Sequence, residues 1–204
     1  MPRFLAIGRS RVQLLEAVAH DPADARRMAA ALETLEPKRI HVDLTPIEAR
    51  LVEQGGGSLA PFATRAFDAV ASCGPAEPNA LYRIVSEWAA EHGATVELLL
   101  PDLAPAPEGR RWPRPTGLRR LDRMLRREGF SAADSRTAVA RLDRHYASRV
   151  PELAAWLEAR RDLAAKTLVR GYDGRGEDGV AVLAFPEADT VADRVYRLLH
   201  PNPS

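Results

Sequence analysis

Ile40-His41-Val42-Asp43-Leu44-Thr45-Pro46-Ile47-Glu48 decides the fold class. A short apolar run ends on a carboxylate, and a helix start follows at once, with a hydroxyl cap at Thr45, then proline and Glu48 in the first turn. Two other stretches have a similar form. Phe4-Leu5-Ala6-Ile7 runs into Gly8-Arg9-Ser10-Arg11, and Val180-Ala181-Val182-Leu183 delivers Ala184-Phe185-Pro186-Glu187. Short apolar runs bounded by Gly or Pro and followed by helical patterns read as buried parallel strands. The residues just past the carboxyl ends of such strands form the binding crevice of open α/β sheets. These three ends are the expected functional region.

Working outward, residues 12–18 and 23–35 both read as helical, the second opened by an Asp21 cap and Pro22. Residues 54–58 form a flexible glycine loop that follows a helix, so it is not a phosphate-binding P-loop. Residues 62–72 fit either a helix or a short strand. Residues 79–92 form an amphipathic helix with Leu81, Ile84, Val85 and Trp88 on one face, closed by Gly93. A strand over 95–100 stops at Pro101-Asp102, and a proline-rich linker leads to an arginine-rich helix over 117–129. Helical sequence runs from 131 to 171 with a break at Val150-Pro151, and a last helix covers 190–199. The expected architecture is a single α/β domain over 1–204. It has a central mixed or mostly parallel sheet, and a helical block inserted at about 110–171 caps the strand ends.

With 46% apolar and 28% charged residues, the composition is that of an ordinary soluble globular protein. Basic residues number 29 and acidic residues 28, so no global field recruits nucleic acid. The single cysteine, Cys73, excludes an intramolecular disulfide and points to a reducing compartment. No apolar stretch is long enough to span a bilayer, and Gly8–Arg11 interrupts the first apolar run, so the expected address is cytoplasmic.

The order of elements resembles the TraB/PrgY family of pheromone-shutdown proteins, related to the Tiki-type metalloproteases. Phe4 to Arg11 stands where that family has an apolar strand ending in Gly-x-x-His. Val42-Asp43-Leu44 with Arg50 resembles its Val-Glu-Leu and downstream Arg. Ala76-Glu77, Ala80 and the segment from Ala89 to Val96 resemble its Glu-bearing helix leading into a strand, and Pro101-Asp102 occupies its Asp-Arg position. Arg161-Asp162 with Ala164-Ala165 resembles its Glu-Arg-Asp helix, and Val182 to Glu187 stands at its second Gly-x-x-His. The resemblance implies a metallopeptidase-like α/β fold whose motifs are degenerate here. Both histidines are replaced, by Arg11 and Glu187, while Ala184 replaces a glycine and Asp43 a glutamate.

Asp43, Glu77 and Glu187 remain as an all-oxygen set, suited to magnesium, manganese or calcium more than to zinc. They are the candidate catalytic residues of a divergent metal-dependent hydrolase, with Arg11 holding the substrate oxyanion. The alternative is structural, with Asp43 and Glu187 capping neighbouring helices and pairing with Arg11 or Arg50. The leading expectation is a degenerate domain that binds a small anionic ligand or a protein partner, with no cofactor, as a homodimer through the helical block. Arg11, Arg50, Asp102 and Arg161 are its candidate binding residues. Eight arginines lie between Arg110 and Arg127, and Arg119 and Arg123 on that helix are candidates for gripping a polyanion. With the net charge at +1, nucleic-acid reading is not expected. His20, His41, His92, His145 and His200 show no metal-ligand spacing, and His20 and His92 fall near expected helix ends.

Overall fold

The computed structural model describes residues 3–54, 61–104, 134–149 and 151–201. The glycine loop and the arginine-rich helix with Arg119 and Arg123 lie outside them.

β1 (Arg3–Ile7) and β2 (Ser10–Ala17) form an antiparallel hairpin in which Ile7 faces Ser10 across the turn residues Gly8 and Arg9. Gly8 has φ +60°, the left-handed backbone that a two-residue hairpin turn asks of a glycine in its first position. This corrects two expectations. Residues 12–18 are not helical, and Gly8-Arg9 is a hairpin turn with Ser10 and Arg11 opening β2, not a catalytic strand end. In β2, Val12 and Leu14 pack into one core while Leu15 and Ala17 pack into another. Buried on both faces, β2 lacks the clean alternation of a half-exposed strand, and apolar residues spaced around Gln13 and Glu16 also fit a short helix.

The remaining elements are α1 (Pro22–Leu35), β3 (Arg39–Val42), α2 (Pro46–Glu53), α3 (Pro61–Ala71), α4 (Ala80–His92) and β4 (Thr95–Leu98), then α5 (Ser135–Arg149), α6 (Pro151–Tyr172), β5 (Gly179–Ala184) and α7 (Ala188–Leu199). The ambiguous segment over 62–72 is therefore a helix, α3. The five strands lie in the order β1-β2-β5-β3-β4, with β2, β5, β3 and β4 mutually parallel and β1 antiparallel at the edge. The architecture is α/β with a mixed, mostly parallel sheet.

Helices cover both faces. Met28 and Leu32 of α1 and Leu81 and Val85 of α4 pack on Ile40, Val42, Val180 and Val182. Leu168 and Tyr172 of α6 and Val191 and Val195 of α7 pack on Leu14, Ala181 and Leu183. The helix starts read from sequence take their expected form. Asp21 Oδ1 accepts from the Ala23 amide at 2.8 Å, and Thr45 and Glu48 close a reciprocal capping box. A cap not legible in sequence comes from β2, where Glu16 Oε1 accepts from the Ala188 amide at the start of α7 (3.0 Å).

The face of the sheet under α6 buries an unusual pair. The His41 ring packs edge-on against Tyr172, with centroids 5.1 Å apart, and its Nδ1 is 3.8 Å from Glu97. Neither ring nitrogen makes a hydrogen bond among the described residues. Burial lowers the His41 pKa to about 4, against the pull of Glu97. A depressed folded-state pKa contributes stability that is present above pH 6.5 and lost as pH falls through about 4. Between pH 7.5 and 4.5 the wild type should lose roughly 2–3 kcal/mol from this group. Urea unfolding of His41→Phe at both values checks this, since the variant should gain on the wild type by that amount at the acid end.

Candidate functional site

The carboxyl ends of β2, β5 and β3 open into a cavity of about 140 Å³. Each strand contributes the residues just past its end: Val18, Ala19 and His20 after β2, Asp43 and Leu44 after β3, and Phe185 to Glu187 after β5. Apolar side chains, among them Val18, Val139, Leu157 and Phe185, form much of the wall. α5 and α6 of the expected helical block supply Val139, Asp143, Trp156, Leu157 and Arg160, so the block does reach over the strand ends.

Asp43 is buried and held on every side. Its Oδ1 accepts from the Tyr82 hydroxyl at 2.7 Å and its Oδ2 from the Ala184 amide at 3.0 Å. The Arg160 guanidinium lies 3.5 Å from Oδ2, donates to the Asp43 main-chain carbonyl and reaches Glu48 at 3.1 Å. Burial dominates and pushes the Asp43 pKa up to about 6, with Arg160 opposing it. Burial likewise opposes the charge of Arg160, but Glu48 and Asp43 outweigh it and hold that pKa above its ordinary value. Tyr82 is raised by burial and by the Asp43 charge beside it.

Glu187 forms a second, separate pair. Arg161 donates to both of its oxygens, Nε at 2.6 Å and Nη2 at 2.9 Å, the bidentate fork geometry that gives strong charge-assisted bonds. Arg160 and Arg161 are adjacent on α6, and the helical rotation of about 100° between neighbours sends one to Asp43 and the other to Glu187. Asp143 lies 3.7 Å from Arg161, and its pKa is raised by burial first and by Glu187 second.

The sequence-derived candidates are therefore divided. Asp43 and Glu187 share the cavity, and Arg161 sits behind Glu187. Glu77 does not join them, because its exposed carboxylate pairs with Arg83. Arg11 is exposed and lines a groove at the opposite, amino-terminal end of the sheet. Its main-chain amide donates to Asp178 there at 3.0 Å. Arg50 is exposed in the last turn of α2, and Asp102 is exposed in the turn after β4, neither on the cavity wall. Asp43 and Glu187 pair with Arg160 and Arg161, not with Arg11 or Arg50. Glu187 precedes α7, yet its side chain makes no capping bond. Among the described residues no three His, Cys, Asp or Glu side chains gather as metal ligands.

Sequence reasoning missed His20, Asn79, Tyr82, Asp143 and Arg160. His20 had the clearest signal: once 10–17 is a strand, Val18-Ala19-His20 falls just past its carboxyl end instead of at a helix terminus. Its Nδ1 accepts from the Asn79 amide at 3.0 Å, so the neutral ring carries its proton on Nε2 and acts as a donor there. No helix among the described residues is long and apolar enough to cross a membrane. Compared with family models, with curated proteins and with solved structures, the chain has no match.

Proposed function

We propose that the chain is a catalytically degenerate TraB/Tiki-like domain that binds a small ligand in the strand-end cavity. One observation carries this reading: the groups at the strand ends suited to acid, base or ligand chemistry are engaged by the protein itself. Asp43 accepts from Tyr82 and the Ala184 amide and lies against Arg160, while Glu187 is held in a fork by Arg161. His20 is fixed as the Nε2–H form, which neither ligates a metal nor takes a proton through that atom. What the cavity offers is a mostly apolar space with a few fixed polar groups, the usual constitution of a small-molecule site.

This reading includes a cytoplasmic setting, with which the unpaired Cys73 is consistent, and two copies meeting through the helical block.

The test is a thermal-shift screen of small neutral and charged aromatic compounds, run beside hydrolysis assays on peptides and esters with magnesium, manganese or zinc. Binding that disappears in the cavity-filling variants Val139→Trp and Leu157→Phe, with no metal-dependent turnover, is the expected result. Metal-dependent hydrolysis abolished by Asp43→Asn would overturn the proposal.

A further inference from the structure

We propose that the strand-end cavity is a receptor for a small organic ammonium ion, with its charged head against Asp143 and its apolar body along Val139, Leu157 and Phe185. The inference rests on the binding reading above and names the ligand class.

Two observations point to it independently. The first is charge. Asp43, Glu48, Asp143 and Glu187 all line the cavity, against Arg160 and the donor form of His20. Arg160 is committed to Asp43 and Glu48, and Arg161 to Glu187 and Glu158. Asp143 is left over. It accepts no hydrogen bond among the described residues, and Arg161 stands 3.7 Å away, already forked onto Glu187. A carboxylate in an apolar wall without a close donor is destabilised unless a cation joins it.

The second observation is Asn79. It begins α4 in the left-handed conformation, φ +53°, and its side chain makes no capping bond. The residue is 7% exposed and faces the cavity, yet among the described residues only its main chain is hydrogen bonded. The side-chain amide is open to the cavity, where a ligand N–H can reach its oxygen. Asp143, whose one cation is shared with Glu187, and the Asn79 side chain thus face the same space. The apolar walls favour an organic cation, because no three metal-ligating side chains gather among the described residues.

The test compares benzylamine, benzyl alcohol and benzoate, three probes of one shape and different charge, by calorimetric titration of the full chain at pH 8. Benzylamine should bind about tenfold tighter than benzyl alcohol, the worth of one charge-assisted hydrogen bond. Benzoate should bind weakest. Asp143→Asn should erase the advantage of the amine while leaving benzyl alcohol unchanged, and Asn79→Gly, which keeps the left-handed backbone, should weaken the amine. Equal affinity for amine and alcohol, or an advantage that survives Asp143→Asn, overturns the ammonium assignment and leaves the cavity reading standing. Silence from all three probes also overturns it, and the cavity reading falls with it only if the broader screen is silent too.

Discussion

Arg160→Met should lower the unfolding free energy by about 3–5 kcal/mol, the loss typical of removing one partner from a buried ion pair. The guanidinium is 13% exposed, lies 3.5 Å from Asp43 Oδ2, donates to the Asp43 carbonyl and also holds Glu48. Without it, Asp43 stays in a buried site with only the Tyr82 hydroxyl and the Ala184 amide. Asp43→Asn in the same background should recover at least ~1 kcal/mol, because the two changes act on one network and are not additive. The pH dependence has a definite sign. Burial raises the Asp43 pKa from 3.8 to about 6, so its contribution to stability is present below 3.8 and lost as pH rises through about 6. From pH 4.5 to 7.5 the wild type should lose roughly 2 kcal/mol relative to Asp43→Asn. Urea unfolding of the four proteins at both values measures each of these quantities.

Gly179→Ala should be as damaging, for a steric reason. A Cβ at Gly179 would lie 1.7 Å from the Tyr172 hydroxyl oxygen and 2.6 Å from Cζ. Gly179 pairs with Val12 in the sheet, and Tyr172 is fully buried on α6, so neither the backbone nor the ring has room to retreat. Overpacking of this kind costs about 1–3 kcal/mol where side chains shift and more where a strand must. A loss above ~3 kcal/mol is expected, which lowers Tm by roughly 6–12 °C in a chain of this size. Tyr172→Phe removes the hydroxyl but leaves Cζ and Cε1 within 2.9 Å, so it should rescue Gly179→Ala only in part. Tyr172→Ala removes the whole ring, and Gly179→Ala should cost little in that background.

The elements that were legible in sequence are those whose signals are local. Asp21-Pro22 and Thr45-Pro46-Ile47-Glu48 announce α1 and α2 by cap chemistry, and both caps form. The run from Val180 to Leu183 was legible as a parallel strand because its side chains are buried on both faces. The same property hid β2, where Val12 to Val18 satisfies a helical pattern as well as a strand. The Gly8-Arg9 turn between two apolar runs was the available hairpin signal. That one exchange carried the site with it: it put Arg11 at the crevice and His20 at a helix end, when His20 lines the crevice and Arg11 lies at the opposite end of the sheet. Asp43, Glu187 and Arg161 were found because they stand at strand ends or on a matching helix. Arg160 and Asp143 come from helices more than 90 residues away in sequence from Asp43, and nothing local marks them as its neighbours. The role of Asn79 depends on an unmade capping bond, which only the folded chain displays.

The most direct test of the central claim is a nuclear magnetic resonance titration of the labelled protein with benzylamine, followed at the backbone amides. Ligand binding in the strand-end cavity predicts shifts concentrated at Ala19, His20, Asn79, Ala184 and Glu187, on the ends of β2 and β5 and the start of α4. Shifts centred instead on Arg11, Arg39 and Glu177, in the groove at the other end of the sheet, would contradict the account. So would a spectrum that moves neither with benzylamine nor with any compound of the broader screen.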